Sequence, residues 1–255
     1  MSKLPEKYQF KDLSDYGRPI GRLIAQSLVS TRFTPIDVTT SFIVAGVCAI
    51  YCIFNELYVA AACFIILKSI LDAADGELSR LKNTPSYTGR YYDSIADLLL
   101  NALLLYSICY VTNGSYGLAA IAFIGLQLQG TVYNYYYVIL RNRVAGDTTS
   151  RIFENQTPVA LAGESQRSVD IFYSLYVVLY RGFDKTIYFL DKQATHGNTF
   201  PKWFMTMISI FGLGFQLLVI SFMLVLDKAA LIIPVIVASS VLILFFIGTR
   251  KFVLK

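Results

Sequence analysis

The chain has 255 residues, of which 55% are hydrophobic and 15% charged, with a net charge of +5 and a mean hydropathy of +0.54. An ordinary soluble domain carries about 25% charged residues, so the composition excludes a conventional water-soluble enzyme and points to a chain dissolved in lipid. Its basic residues are spread along the sequence, which suits a negatively charged membrane surface or an anionic substrate and argues against nucleic acid as a partner.

The polar N-terminus, residues 1–15, has no apolar core of the kind a cleavable signal peptide needs. Residues 12–32 interleave Tyr16, Ile20, Leu23, Ile24 and Leu28 with Arg18 and Arg22, the pattern of an amphipathic helix lying at the membrane interface. Six segments then have the length and apolarity of membrane spans: 36–54, 57–81, 89–112, 116–140, 203–226 and 229–247. Turn residues separate them at Asn55-Glu56, at 82–88, at Asn113-Gly114-Ser115 and at Asp227-Lys228. Residues 141–167 read as a polar, mobile cytoplasmic loop, and 168–190 as a second interfacial segment, with a re-entrant hairpin as the alternative. Four regions result: 1–35, 36–140, 141–202 and 203–255. The fold class is an all-α integral membrane protein.

Charge placement tests the count of spans. Of 22 Lys and Arg, six precede residue 38, three lie in 80–90, eight in 141–202 and three after 247. With six spans these regions share one side of the membrane, and basic loops stay cytoplasmic. Both termini and the 82–88 loop are therefore expected in the cytoplasm. Cys48, Cys52, Cys63 and Cys109 sit in apolar runs and read as small hydrophobes. The run Tyr133–Tyr137 reads as an interfacial aromatic belt, and Gln127, Gln129 and Asn134 as polar residues able to line a cavity. The sequons at Asn113 and Asn155 read as chance matches.

Against this background four carboxylates stand out. Asp72 and Asp75 share one face of the second span, and Asp93 and Asp97 share one face of the third. Each ionised carboxylate at membrane depth costs about 3 kcal/mol or more unless paired. Lys68, Arg80 and Arg90 are too few and too scattered to neutralise all four. A hard divalent cation with oxygen ligands would do so. With only His196 in the chain, carboxylates are the ligands available.

The run Asp72-x2-Asp75-Gly76-x2-Ser79-Arg80, then Gly89-x3-Asp93-x3-Asp97, resembles the signature of the CDP-alcohol phosphotransferases, with Ser79 where that family usually has Ala. Residues 31–39 also resemble the start of the family's first span, with Ile36 in place of its Asn. The resemblance implies an integral-membrane enzyme of phospholipid biosynthesis. It implies transfer of a phosphoalcohol group from a CDP-alcohol, such as CDP-diacylglycerol, to an alcohol acceptor with release of CMP. It further implies Asp72, Asp75, Asp93 and Asp97 around Mg²⁺, with Mn²⁺ as a substitute and two ions in all. It implies too that Asp97 is the catalytic base, that Gly76, Ser79, Arg80, Ser86 and Gly89 contact the CDP-alcohol, and that the enzyme is a homodimer in the bilayer. Arg90, Arg141 and Arg143 are candidates for holding an anionic acceptor, and each is equally a positive-inside anchor.

Three other readings compete. Within the class, a CDP-aminoalcohol or CDP-inositol donor would meet diacylglycerol or an inositol phosphate. Outside it, a divalent-cation transporter also holds intramembrane acids, but spans four to six carry none. A non-catalytic scaffold gives no reason for retaining four carboxylates.

Overall fold

The computed structural model describes residues 4–144, 156–197 and 199–254, and among these it is all helix with no strand. The helices are α1 (Arg18–Leu28), α2 (Pro35–Phe54), α3 (Tyr58–Lys82), α4 (Tyr87–Val111), α5 (Tyr116–Arg143), α6 (Gln166–Leu190), α7 (Lys202–Ile208), α8 (Leu213–Val225), α9 (Ala229–Ser239) and α10 (Leu242–Val253). The sequon at Asn155 and part of the 141–167 loop lie outside the described residues.

Helix ends follow local chemistry. Pro35 opens α2 behind a capping box, in which Thr34 N–H donates to Asp37 Oδ2 at 2.7 Å and Asp37 N–H donates to Thr34 Oγ1. Ser86 caps α4, accepting from Gly89 N–H at 2.8 Å. The tight turns after α2, α3, α4 and α8 use a left-handed residue at Glu56, Asn83, Asn113 and Asp227, a conformation that Asn and Asp tolerate best.

Three stretches are long and apolar enough to cross a membrane: α2, α4, and the α9–α10 pair taken as one run, Ala229–Val253. The α7–α8 pair makes a fourth if its 51° bend is one broken span. The sequence reading expected six. Helices α3 and α5 have the length, at 25 and 28 residues. However, α3 carries Lys68, Asp72 and Asp75, and α5 carries Gln127, Gln129 and several tyrosines, so composition alone does not mark them. The third expected span, α4, also starts two residues before Gly89, because Ser86 caps it.

The α2–α3 hairpin packs against α1, α4 and α8. One apolar cluster, including Ile53, Ile65, Leu105, Ile108, Ile220 and Ile232, fills the half of the bundle away from the 83–86 turn. A second, including Tyr136, Ile139, Ile187, Phe204, Phe211 and Phe246, joins the C-terminal half of α5 to α6, α7 and α10. Beside this cluster is a buried ion pair: the Arg250 guanidinium meets both oxygens of Asp191, with Nε to Oδ2 at 2.6 Å. Tyr136 OH donates to Asp191 Oδ2 at 2.7 Å, and Tyr135 OH donates to the Asp191 carbonyl at 2.9 Å. Tyr133, whose hydroxyl donates to Asp12, is buried as well. The tyrosine run is therefore hydrogen-bonded interior, not an interfacial belt. Tyr133, Tyr135 and Tyr136 find inward partners that only the tertiary structure supplies.

The two C-terminal helix breaks meet a polar network. Gln129 Nε2 donates to Ser239 Oγ and Ser240 Oγ, both at 3.0 Å, and Gln216 Nε2 donates to Gln129 Oε1 at 3.0 Å. Both serine hydroxyls donate back to the Ile236 carbonyl, which also accepts from Ser240 N–H at 3.2 Å. Gln129 thus bonds within the bundle, and Asn134 is exposed.

Segment 168–190 belongs to α6, one unbroken helix and not a re-entrant hairpin. It packs on α4 through Phe172 on Tyr92 and through Tyr173 and Tyr176 on Tyr91, and Tyr180 OH donates to the Ser94 carbonyl at 2.6 Å. Helix α1 is more than an interfacial float. Gly17 and Gly21, four residues apart, seat it on α3, and a Cβ at Gly21 would lie 3.0 Å from the backbone of Ile70 and Ala74. The opposite face, with Ile20 and Leu23, stays exposed.

Candidate active site

The turn at residues 83–86 folds α4 back along α3 and brings the two acidic faces together. Carboxylate oxygens of Asp72, Asp75 and Asp93 lie within 4.8 Å of one another. Thr39 Oγ1, from α2, donates to Asp75 Oδ2 at 2.7 Å and fixes that carboxylate. Asp93 Oδ1 is buried without a hydrogen-bond partner. A buried, unsatisfied carboxylate oxygen beside two further carboxylates is costly as it stands. A hard cation with oxygen ligands fits this donor set.

Asp97, one turn along α4 from Asp93, is not part of that cluster. Its Oδ1 forms an ion pair with Lys68 Nζ, whose ammonium also lies 4.9 Å from the centre of the Phe42 ring. Lys68 is 3% exposed, so the pair is buried. The sequence reading placed Asp97 among the metal ligands and counted Lys68 among the few cations near the acids. The geometry groups three of the four acids and gives the fourth to Lys68.

The remaining motif residues take more specific places. The Arg80 guanidinium lies over Gly76, where a Cβ would sit 3.5 Å from Nη1. Arg80 Nη2 is 3.1 Å from Glu77 Oε1, while its Nε is buried without a partner. Ser79 Oγ donates to the Thr84 carbonyl at 3.0 Å, closing the end of α3. Ser86 Oγ donates to Glu164 Oε1 at 2.8 Å while accepting from Gly89, so both of its polar functions are in use. Ile36, where the family pattern has Asn, is the next contact of a Cβ at Gly89, at 3.7 Å.

The three candidate acceptor arginines do not converge. Arg90 stacks on Tyr91, 4.6 Å from its ring centre, and Arg141 is buried 5.1 Å from the ring centre of Tyr137. Arg143 donates to the Ala194 carbonyl and lies over Phe200. Residues two apart on a helix point about 200° from each other, which separates Arg141 from Arg143.

Sequence reasoning missed Thr39, Glu77 and Glu164. Glu164 accepts from Tyr87 N–H at 3.1 Å, Thr88 N–H at 2.8 Å and the Ser86 hydroxyl, placing a carboxylate at the positive end of α4. Burial pushes its carboxyl up, but the donors from Thr88, Ser86 and Tyr87 outweigh this and hold it below the usual carboxylate range. More than 70 residues separate Glu164 from these partners, so no local pattern announces it. Glu77 is 1% exposed and stands in the motif's variable positions, where nothing distinguishes it in one sequence.

No curated protein and no solved structure matches the chain. The family model described as CDP-alcohol phosphatidyltransferase matches residues 33–162, just over half the chain, and contains Thr39 and all four aspartates. With that match laid over the carboxylate cluster of α3 and α4, the chain belongs to the CDP-alcohol phosphatidyltransferase family.

Proposed function

We propose that the protein transfers a phosphatidyl group from CDP-diacylglycerol to a small polar alcohol or alcohol phosphate, releasing CMP, as a six-span enzyme with its site and both termini in the cytoplasm. The observation that carries this reading is the convergence of Asp72, Asp75 and Asp93 on one point beside a separately held Asp97. The apolar helices and the family match support the membrane setting. A homodimer, as the resemblance implies, belongs to the same proposal.

Asp72, Asp75 and Asp93 would hold Mg²⁺, two ions with Asp97 as a further ligand, and Mn²⁺ could replace them. Bound there, the cations would supply neutralisation of the diphosphate charge. Asp97 takes the proton from the acceptor hydroxyl, and Lys68 fixes its orientation through Oδ1. The new O–P bond forms at the phosphorus that carries the lipid. The P–O bond to CMP breaks, and CMP leaves with the electron pair. Arg80 binds a phosphate oxygen of the leaving nucleotide, its unpartnered Nε being the donor available. Gly76 gives the guanidinium room to lie against α3, and Gly89 and Ser86 shape the start of α4 beneath the nucleotide.

Purified protein should release CMP from CDP-diacylglycerol only with both Mg²⁺ and an acceptor present. No release across a broad panel of CDP-alcohols and acceptors would overturn the assignment. Cation flux into substrate-free liposomes would favour transport instead.

A further inference from the structure

We propose that Arg18 and Arg22 of α1, with Arg80 of α3, form a phosphate-binding subsite organised by the buried carboxylate of Glu77. The three guanidiniums approach one oxygen: Glu77 Oε1 is 3.1 Å from Arg80 Nη2, 3.8 Å from Arg18 Nε and 3.9 Å from Arg22 Nη2. Arg18 has a closer partner in Asp15 at 2.5 Å. Among the described residues, three guanidiniums thus face the carboxylates of Asp15 and Glu77, and the cluster stays net positive. Among the described residues Arg22 reaches no carboxylate more closely, and its side chain is 49% exposed where those of Arg18 and Arg80 are 24% and 22% exposed. One face of the cluster is therefore open to a ligand.

The cluster is built, not incidental. Gly17 and Gly21 bring α1 against the backbone of Ile70 and Ala74, inside the turn that carries Asp72 and Asp75. Arg18 and Arg22 are four residues apart and leave α1 on the same side. Arg80 belongs to both the subsite and the acidic motif. A tetrahedral oxyanion bridging Arg22 and Arg80 would have the forked, charge-assisted donors such groups prefer.

The chemistry recognised is a phosphate group with at least one ionised oxygen. Two sources offer it: a phosphorylated small alcohol, or an anionic phospholipid headgroup beside the exposed Ile20 and Leu23 of α1. The former source rests on the transferase reading, whereas the subsite itself does not.

Binding is therefore measured without turnover. Radiolabelled inorganic phosphate is equilibrated with detergent-solubilised wild type, Arg22→Gln, Arg18→Gln and, as a control, the exposed Arg167→Gln, with elution volume and melting midpoint confirming that each variant is folded. We expect affinity to fall at least fivefold in Arg22→Gln and Arg18→Gln and to hold in Arg167→Gln. A second arm repeats the titration in nanodiscs of neutral lipid and of neutral lipid with one-fifth phosphatidylglycerol. Loss of phosphate binding only in the anionic discs assigns the subsite to a lipid headgroup, and retention assigns it to a soluble phosphate. Wild-type affinity in both α1 variants overturns the proposal, even if the protein proves an active transferase. An inactive protein whose variants lose phosphate keeps the subsite and removes the transferase reading.

Discussion

Asp191→Ala should be among the most damaging single substitutions outside the carboxylate cluster. The Asp191 side chain is fully buried and that of Arg250 is 6% exposed. Removing the carboxylate strands the guanidinium and takes the acceptor from Tyr136 OH. Breaking a buried pair from one side costs about 3–5 kcal/mol, and an unsatisfied buried hydroxyl adds about 1 kcal/mol or more. At about 4–6 kcal/mol in total, and roughly 2–4 °C per kcal/mol for a chain of this size, the melting midpoint should fall by roughly 8–24 °C. The double variant Asp191→Leu with Arg250→Met leaves no buried charge and should recover most of the loss, because apolar replacements of a buried pair are often neutral. Thermal unfolding of the solubilised protein, followed by fluorescence and completed as a double-mutant cycle, measures both effects. A single variant within about 1 kcal/mol of wild type, or a double variant as unstable as the sum of its parts, would refute the reasoning.

Asp97→Asn should lower turnover at least about a hundredfold while nucleotide binding is largely kept, whereas Asp72→Ala should lose Mn²⁺ and nucleotide together; a near-native rate for Asp97→Asn removes it as base. Glu164→Gln should destabilise by about 1 kcal/mol, a value kept small because the group is only partly buried. Since folding holds the Glu164 carboxyl below its ordinary value of 4.5, its contribution is complete above that pH and disappears as pH falls through the folded-state value. The melting difference between wild type and Glu164→Gln should accordingly be full at pH 7 and vanish in strong acid. Gly21→Val meets α3 backbone at 3.0 Å, so α1 should detach at a cost of about 1–3 kcal/mol, read as faster tryptic cleavage after Arg22.

The acidic motif was legible because its chemistry is local. Asp72 and Asp75 share a helix face by spacing alone, as do Asp93 and Asp97, and the short turn between the helices leaves little freedom in how the faces meet. The all-helical class and most helix boundaries were legible for the same reason, since Thr34-Pro35, Asn83 and Asn113 are local signals. What escaped was long-range pairing. Tyr133, Tyr135 and Tyr136 look like a membrane-surface belt until Asp12 and Asp191 arrive from distant segments. Arg141 and Arg143 look like partners until the helix turn sends one to Tyr137 and the other to Ala194. Glycines at 17 and 21 say that something approaches closely, but not that it is the motif helix.

The amide–hydroxyl network at the two C-terminal breaks bears on the order in which the protein is made. Ser239 and Ser240 lie in the last helical pair, yet the amide that serves them belongs to Gln129, about a hundred residues earlier in the chain. The serine hydroxyls have their own acceptor in the Ile236 carbonyl, whereas a side-chain amide in hydrocarbon has no water to satisfy it. Because α5 leaves the ribosome long before α9 and α10, its amide is already waiting when the kink arrives. Gln129 is thus the group that waits, because Gln216, Ser239 and Ser240, which complete its hydrogen bonds, all emerge after it.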